Sequence, residues 1–373
     1  MDLQAKAFTN TRIGLYIHVP FCPTTCSYCA FYKEPLSKIS VNLYVKYLQK
    51  ELQNIQDNRT FDSIYFGGGT PGILTPEHII TIGQAIEKKC HRAPTEWTFE
   101  LAPSTVKIDR LIALKEIGVN RISLGVQSFN NHTLQLFGRR QHHPLEAYEM
   151  LRKQNFSNIN MDLIFSPTHQ NLRSWLDDLD QAIWLAPEHI STYCMTKEND
   201  FHISKDEDSE AEFYIETCHR LKDHGFLQYE ISNFCRPGRE SLHNMNTWQM
   251  HEWLGLGPSA SSQYKFRRYT NIPSLQPWMD GIDSNRSILI DDIQLSSRDM
   301  FIDGLLFGIR MNQGVNFPDL VNRFGDHGND NLKILFGRLV EENYAQINET
   351  NMALTDSGRL RCDAIELEIL QCF

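Results

Sequence analysis

From Ile13 to about Phe234 the chain alternates short β-branched or aromatic runs with longer stretches in which apolar residues recur at helical spacing. That alternation predicts βα units stacked on a parallel sheet. The predicted strands cover residues 14–18, 63–66, 97–101, 121–126, 159–165 and 190–194. Between and after them, helices are predicted over 40–56, 76–89, 104–117, 144–154, 172–185 and 206–223. Several open with Ser, Thr, Pro or Asp in the first turn, the residue types that start or cap a helix. Six such repeats are six-eighths of a (β/α)8 barrel, but an open doubly wound sheet shows the same alternation, so periodicity leaves the choice between them open.

After Phe234 the pattern breaks. A segment from Arg236 to about Ser284, rich in Gly, Pro, Ser, His and Trp, is too long for a simple connection and is predicted to be irregular and functional. Helical periodicity returns over 298–309, 317–324 and 331–342, then a β-like pair at 344–347 and 351–354, then a final helix over 355–369. That order predicts a small winged-helix-like module. The expected division is a polar tail (1–12), a core domain (13–235), an irregular segment (236–296) and a C-terminal module (297–373).

A chain of 373 residues suits one large domain with an appendage. Its composition, 41% apolar and 22% charged, is that of a folded globular protein. It contains no apolar run of roughly 18 residues, and its first residues are polar, so a cytoplasmic location is expected. With 46 acidic against 36 basic residues, the net charge of −10 disfavours polyanions, and no nucleic-acid partner is expected even for the C-terminal module. The nine cysteines read as thiols or metal ligands rather than as a disulfide framework. Cys90, Cys194, Cys218, Cys235, Cys362 and Cys372 are scattered; Cys22, Cys26 and Cys29 are not.

Those three form a C-x3-C-x2-C loop directly after the first predicted strand, within Tyr16-Ile17-His18-Val19-Pro20-Phe21-Cys22-Pro23-Thr24-Thr25-Cys26-Ser27-Tyr28-Cys29-Ala30-Phe31. Thiolates are soft ligands suited to iron, and the short spacings let one loop wrap one face of a cubane, leaving one of four irons open. A structural zinc site would require a closed set of four ligands, and His18 lies outside the usual spacing.

The spacing, with Tyr28 just before the last cysteine, resembles the signature of the radical S-adenosylmethionine (SAM) family. The wording around it is similar to the porphyrin-related branch, which holds oxygen-independent coproporphyrinogen III dehydrogenases and HemW-type haem chaperones. The resemblance implies a partial (β/α)6 TIM-like barrel followed by the C-terminal module, a [4Fe-4S] cluster on Cys22, Cys26 and Cys29, and SAM chelated by the open iron. It also settles the barrel over the doubly wound sheet as the expected α/β fold. In the Gly67-Gly68-Gly69-Thr70-Pro71 turn, Gly68, Gly69 and Thr70 are implied contacts of the SAM amino group, since glycines let backbone approach a ligand. Glu100, Gln127, Arg139 and Asp162, within or beyond strand ends, are implied contacts of its ribose, carboxylate or adenine, with Phe31 also among the SAM-binding residues and Tyr16 near the cluster. The turn after the fifth strand, Phe165-Ser166-Pro167-Thr168-His169, is one residue shorter than the family's usual Gly-Leu-Pro turn.

Three features separate the two activities that the resemblance implies. The dehydrogenases carry a further cysteine two residues after the last ligand, where this chain has Phe31, and a long extension ahead of the cluster, where it has 21 residues before Cys22. The third is Ser241-Leu242-His243-Asn244-Met245-Asn246-Thr247-Trp248, which resembles the chaperones' H-N-x-x-Y-W motif with Thr247 in place of Tyr. Imidazole is an axial ligand of haem iron and Trp offers an apolar face, so His243 and Trp248 are the expected haem contacts. The expected partners are haem or porphyrin, a reductant for the cluster and a haem-accepting protein, a membrane-associated one among the options; the dehydrogenase is the alternative.

Overall fold

A computed structural model describes residues 12–23, 26, 29–55, 60–168, 170–195, 207–348 and 350–373. The predicted His169 and residues 24, 25, 27 and 28 of the cysteine loop lie outside them. Six strands, β1 (Ile13–Val19), β2 (Ser63–Gly68), β3 (Glu96–Leu101), β4 (Arg121–Gln127), β5 (Ile159–Phe165) and β6 (His189–Cys194), lie side by side in this order, all parallel. Each falls within two residues of its predicted bounds.

Their alternation divides the sheet into two chemically distinct faces. Leu15, Ile17, Val19, Ile64, Phe66, Phe99, Ile122, Leu124, Ile159 and Met161 belong to the apolar core beneath the helices. The intervening positions hold Tyr16, His18, Tyr65, Glu100, Arg121, Asp162 and His189. The second face is therefore polar, and its groups satisfy one another. Helices α1 (Lys38–Gln53), α2 (Pro76–Glu87), α3 (Ile108–Glu116), α5 (Pro144–Lys153), α6 (Leu172–Leu185) and α7 (Glu207–Asp223) make the crossovers. One more, α4 (Asn131–Leu136), was not expected; its N-cap Asn130 accepts from His132 and Thr133. The helix expected from residue 104 starts at Ile108, because Pro103–Thr105 forms a 3-10 turn first.

The stretch expected to be irregular is ordered into regular elements. After α8 (Leu242–Trp248), strand β9 (Glu252–Leu256) adds a seventh parallel strand against β1. Strands β10 (Ser261–Tyr264), β11 (Arg267–Asn271) and β12 (Leu289–Gln294) then continue antiparallel, with α9 (Leu275–Asp283) between the last two. Glycine hid this strand. At Gly255 a Cβ would sit 2.3 Å from Ser261 O, so the residue that weakens the strand pattern is the one the close backbone approach requires. At the other edge, β7 (Leu227–Glu230) and β8 (Asn233–Cys235) extend the sheet beyond β6. Among the described residues, twelve strands in one open order, with β12 and β7 as edges, form an unclosed α/β barrel.

The C-terminal residues build a second core. Helices α10 (Ser297–Ile309), α11 (Phe317–Phe324) and α12 (Asp330–Glu341) precede the hairpin β14 (Ala345–Asn348) and β15 (Asn351–Leu354). The short strand β13 (Val315–Asn316) pairs with β15 and completes a three-stranded sheet. The last predicted helix is split in two, Asp356–Arg359 and Cys362–Gln371. Met250 and Phe266 of the preceding segment are buried in this second core, which ties the two parts together.

Candidate functional site

The cysteine loop leaves the carboxyl end of β1. A two-residue pairing of Phe21–Cys22 with Glu34–Pro35 closes its base, and Lys33 Nζ braces it by donating to the carbonyls of Cys26 (3.1 Å) and Cys29 (2.7 Å). Burial pushes the Cys22 thiol up. Cys29 and Cys26 push in the same direction, while Thr70 Oγ1, 3.7 Å from Cys22 Sγ, and the Lys33 ammonium oppose them. Cys26 and Cys29 thus lie close enough to act electrostatically on Cys22. Among the described residues no three His, Cys, Asp or Glu side chains are grouped closely enough to hold a metal ion. The donor chemistry, three soft thiols from one braced loop, fits a cubane iron–sulfur cluster better than a four-ligand zinc site.

The Gly67–Thr70 turn seats that loop. Gly69 N donates to Val19 O (2.8 Å) and Thr70 N to Phe21 O (2.9 Å). A Cβ on Gly69 would meet Phe21 O at 2.7 Å, and one on Gly68, whose φ is +106°, would meet the His18 ring at 2.6 Å. The glycines are needed by the protein itself, for the turn to lie against the root of the cysteine loop.

On the polar face below, Tyr65 OH donates to Glu100 Oε1 (2.8 Å), and burial, reinforced by Asp162, pushes the Glu100 carboxyl up to about 8. Asp162 accepts from Ser123 Oγ (2.8 Å) and Asn160 Nδ2 (2.9 Å), and burial raises its pKa too. Tyr16 OH lies 3.1 Å from His18 Nδ1, and His18 Nε2 lies 3.1 Å from Tyr32 O, which links the polar face to the loop. Gln127 ends β4 with φ 66° and is buried. Arg139 lies beyond α4, where its N–H donates to Leu134 O (2.8 Å) and its charge acts on His142. Phe31, close to Cys29, is 64% exposed. Tyr16, Glu100 and Asp162 thus share the face that leads to the cysteine loop. Hydroxyls and carboxyls there can bind an ammonium, a ribose diol or a purine edge.

His243 and Trp248 do not share a surface. Leu242 N and His243 N donate to the Glu96 carboxylate (2.9 and 3.0 Å), and Ser241 caps the helix by accepting from Asn244 N. His243 Nδ1 lies 3.0 Å from Ser63 Oγ, and its ring centroid is 5.1 Å from that of Tyr65. Ser63 and Glu96 begin their strands, so His243 sits at the end of the barrel opposite the cysteines. Burial, then the Arg121 charge, push its pKa down to about 4. Trp248 faces the C-terminal unit, edge-on to Phe307 at 5.7 Å and under Arg310 at 5.8 Å.

Sequence reasoning missed Lys33, Tyr65, Glu96 and Arg121. The last three occupy alternate strand positions, so the period-two pattern marked them; attention to strand carboxyl ends passed over them. No spacing marked Lys33.

Residues 16–182 match the Radical SAM superfamily. The heme chaperone HemW of Escherichia coli (strain K12) is 34% identical over 268 residues, spanning 68% of this chain and 71% of that protein. The heme chaperone HemW of Bacillus subtilis (strain 168) is 29% identical over 363 residues, 92% and 96% of the two chains. The solved structure of coproporphyrinogen III oxidase (HemN) from Escherichia coli covers 98% of this chain and 92% of its own at 22% identity, with a TM-score of 0.84, a likeness of fold. With kinship along most of its length, that fold and the cysteine loop, the chain belongs to the HemW-type branch of the radical SAM superfamily.

Proposed function

We propose that this chain is a cytoplasmic haem chaperone that binds haem and passes it to an acceptor protein, carrying a [4Fe-4S] cluster on Cys22, Cys26 and Cys29 with SAM beside it. The observation that carries the reading is near full-length similarity to proteins named heme chaperones. Phe31 supports it, because it occupies the position where the resemblance puts a fourth cysteine in the dehydrogenases. Among the described residues, all nine cysteines are free thiols and no helix is long and apolar enough to cross a membrane.

In this reading Tyr16, Phe31, Gly68, Gly69, Thr70, Glu100, Gln127, Arg139 and Asp162 hold SAM, and a reductant supplies the cluster with electrons. The cluster brings an iron able to chelate the amino acid part of SAM. Glu100, with its carboxyl pushed up to about 8, keeps its proton at neutral pH and offers a donor as well as an acceptor.

The test is haem transfer. Full-length protein, reconstituted anaerobically and loaded with haemin, is mixed with an apo-haemoprotein, and the acceptor's Soret band is followed. Transfer faster than from free haemin supports the reading; no haemin binding by the wild-type chain contradicts it. Conversion of coproporphyrinogen III by the reduced protein with SAM would favour the dehydrogenase instead.

A further inference from the structure

Alternate residues of a strand share a side, so β2 presents Ser63, Tyr65 and Gly67 in turn to the polar face. The three form a column that runs from the barrel end where His243 sits up to the Gly67–Thr70 turn. At its foot Ser63 Oγ lies 3.0 Å from His243 Nδ1. One step up, the Tyr65 ring packs on His243 with centroids 5.1 Å apart and stacks on Tyr16 at 6.2 Å. At the top, Gly67 leaves out a side chain that would intrude, because a Cβ there would lie 3.0 Å from both Tyr65 Cε1 and Glu100 Oε1. In the space so left, Tyr65 OH reaches Glu100 Oε1 at 2.8 Å.

The column donates in one direction. Burial, then the Glu100 and Asp162 carboxyls, push the Tyr65 phenol far up, so it keeps its proton and remains a donor. The Gly68 backbone also bonds to the Glu100 carboxyl, which is thus fixed between the phenol and the turn. Burial, then Arg121, push His243 down to about 4, so at neutral pH it adds no charge beneath Glu100 and acts through its ring. A ring packed against the phenol limits its tilt, and with it the direction in which the hydroxyl points.

We propose that Tyr65 and His243 are positioning residues of the SAM site: His243 backs the Tyr65 ring, and Tyr65 holds the Glu100 carboxyl beside the Gly67–Thr70 turn. This role rests on the reading that Glu100 contacts SAM, and it gives His243 a task other than iron ligation. The titratable and charged groups around Glu100 are Tyr16 on β1, Tyr65 on β2, Arg121 on β4, Asp162 on β5 and Tyr193 on β6. Tyr65 is hydrogen-bonded to it; the others act through charge.

The experiment is equilibrium binding of SAM to the anaerobically reconstituted full-length protein across about pH 6 to about pH 9, with cluster iron and melting curves as controls of folding. SAM carries a sulfonium cation, so ionised Glu100 attracts it more strongly and wild-type affinity should rise with pH through the Glu100 midpoint. Glu100→Gln should flatten that rise. Tyr65→Phe keeps the ring but removes a hydrogen bond that favours the ionised carboxyl, so the midpoint should move to higher pH and affinity at neutral pH should fall about tenfold. His243→Ala should weaken SAM severalfold, whereas His243→Phe, which keeps a ring against Tyr65, should recover most of the loss. Wild-type affinity and midpoint in Tyr65→Phe, with the rise still flattened by Glu100→Gln, would overturn the inference and leave the Glu100 reading standing. Binding in His243→Phe as weak as in His243→Ala would overturn the part given to His243. A rise untouched by Glu100→Gln, or a wild-type chain that binds no SAM, would end both.

Discussion

Ser63 Oγ and His243 Nδ1 lie 3.0 Å apart although 180 positions separate them in the chain. The contact closes the barrel end remote from the cysteines, and Glu96 completes it by accepting from Ser241 Oγ, Leu242 N and His243 N while facing Arg121 Nε at 4.0 Å. Arg121 is only 2% exposed, and Glu96 is its ion-pair partner. Breaking a buried pair from one side leaves an uncompensated charge, at a cost of about 3–5 kcal/mol. Glu96→Gln is therefore expected to lower the unfolding free energy by about that amount in urea titrations. A loss below about 1 kcal/mol would show that Arg121 does not depend on this partner.

Gly69→Ala tests how the turn seats the loop. The added methyl meets backbone, Phe21 O at 2.7 Å and Val19 O at 2.9 Å, which cannot move without displacing Cys22. The variant should fold, with far-UV circular dichroism close to wild type, yet retain little iron after reconstitution. Full iron retention would show that the loop's root tolerates displacement.

Glu51, on α1, is 7% exposed and accepts from Gly257 N (2.8 Å) and Asn271 Nδ2 (2.7 Å). Burial outweighs these bonds and pushes its carboxyl from 4.5 up to about 7. A raised folded pKa means that the folded chain holds a proton the unfolded chain has released, so stability is lost as pH rises from about 4.5 through about 7. The full effect is about 3 kcal/mol. Glu51→Gln should be offset from wild type by its altered hydrogen bonds, but its stability should fall less between pH 5 and pH 8. Parallel wild-type and variant curves would assign the titration elsewhere.

The six core strands were legible because each is a short β-branched or aromatic run set between stretches of helical spacing. Strand β9 was not, since Gly255 and Gly257 dilute its apolar pattern and its place is fixed by pairing with β1 far away in sequence. Helix α4 is six residues long, too short to show a helical period. The cysteines stood out through spacing alone, and Glu100, Gln127 and Asp162 through their place on strands. The separate surroundings of His243 and Trp248 were hidden, because both stand on one short helix and only tertiary packing sets Ser63 beside the first and Phe307 beside the second.

The central proposal is that three thiols grip a cluster whose remaining iron takes SAM. Its most direct test is electron paramagnetic resonance of the anaerobically reconstituted, dithionite-reduced protein, with and without SAM and beside Cys26→Ala. The expected result is roughly four irons per chain, a cubane signal whose g-values shift when SAM is added, and loss of both in the variant. Colourless protein holding zinc, or a cluster signal indifferent to SAM and to Cys26, would contradict it.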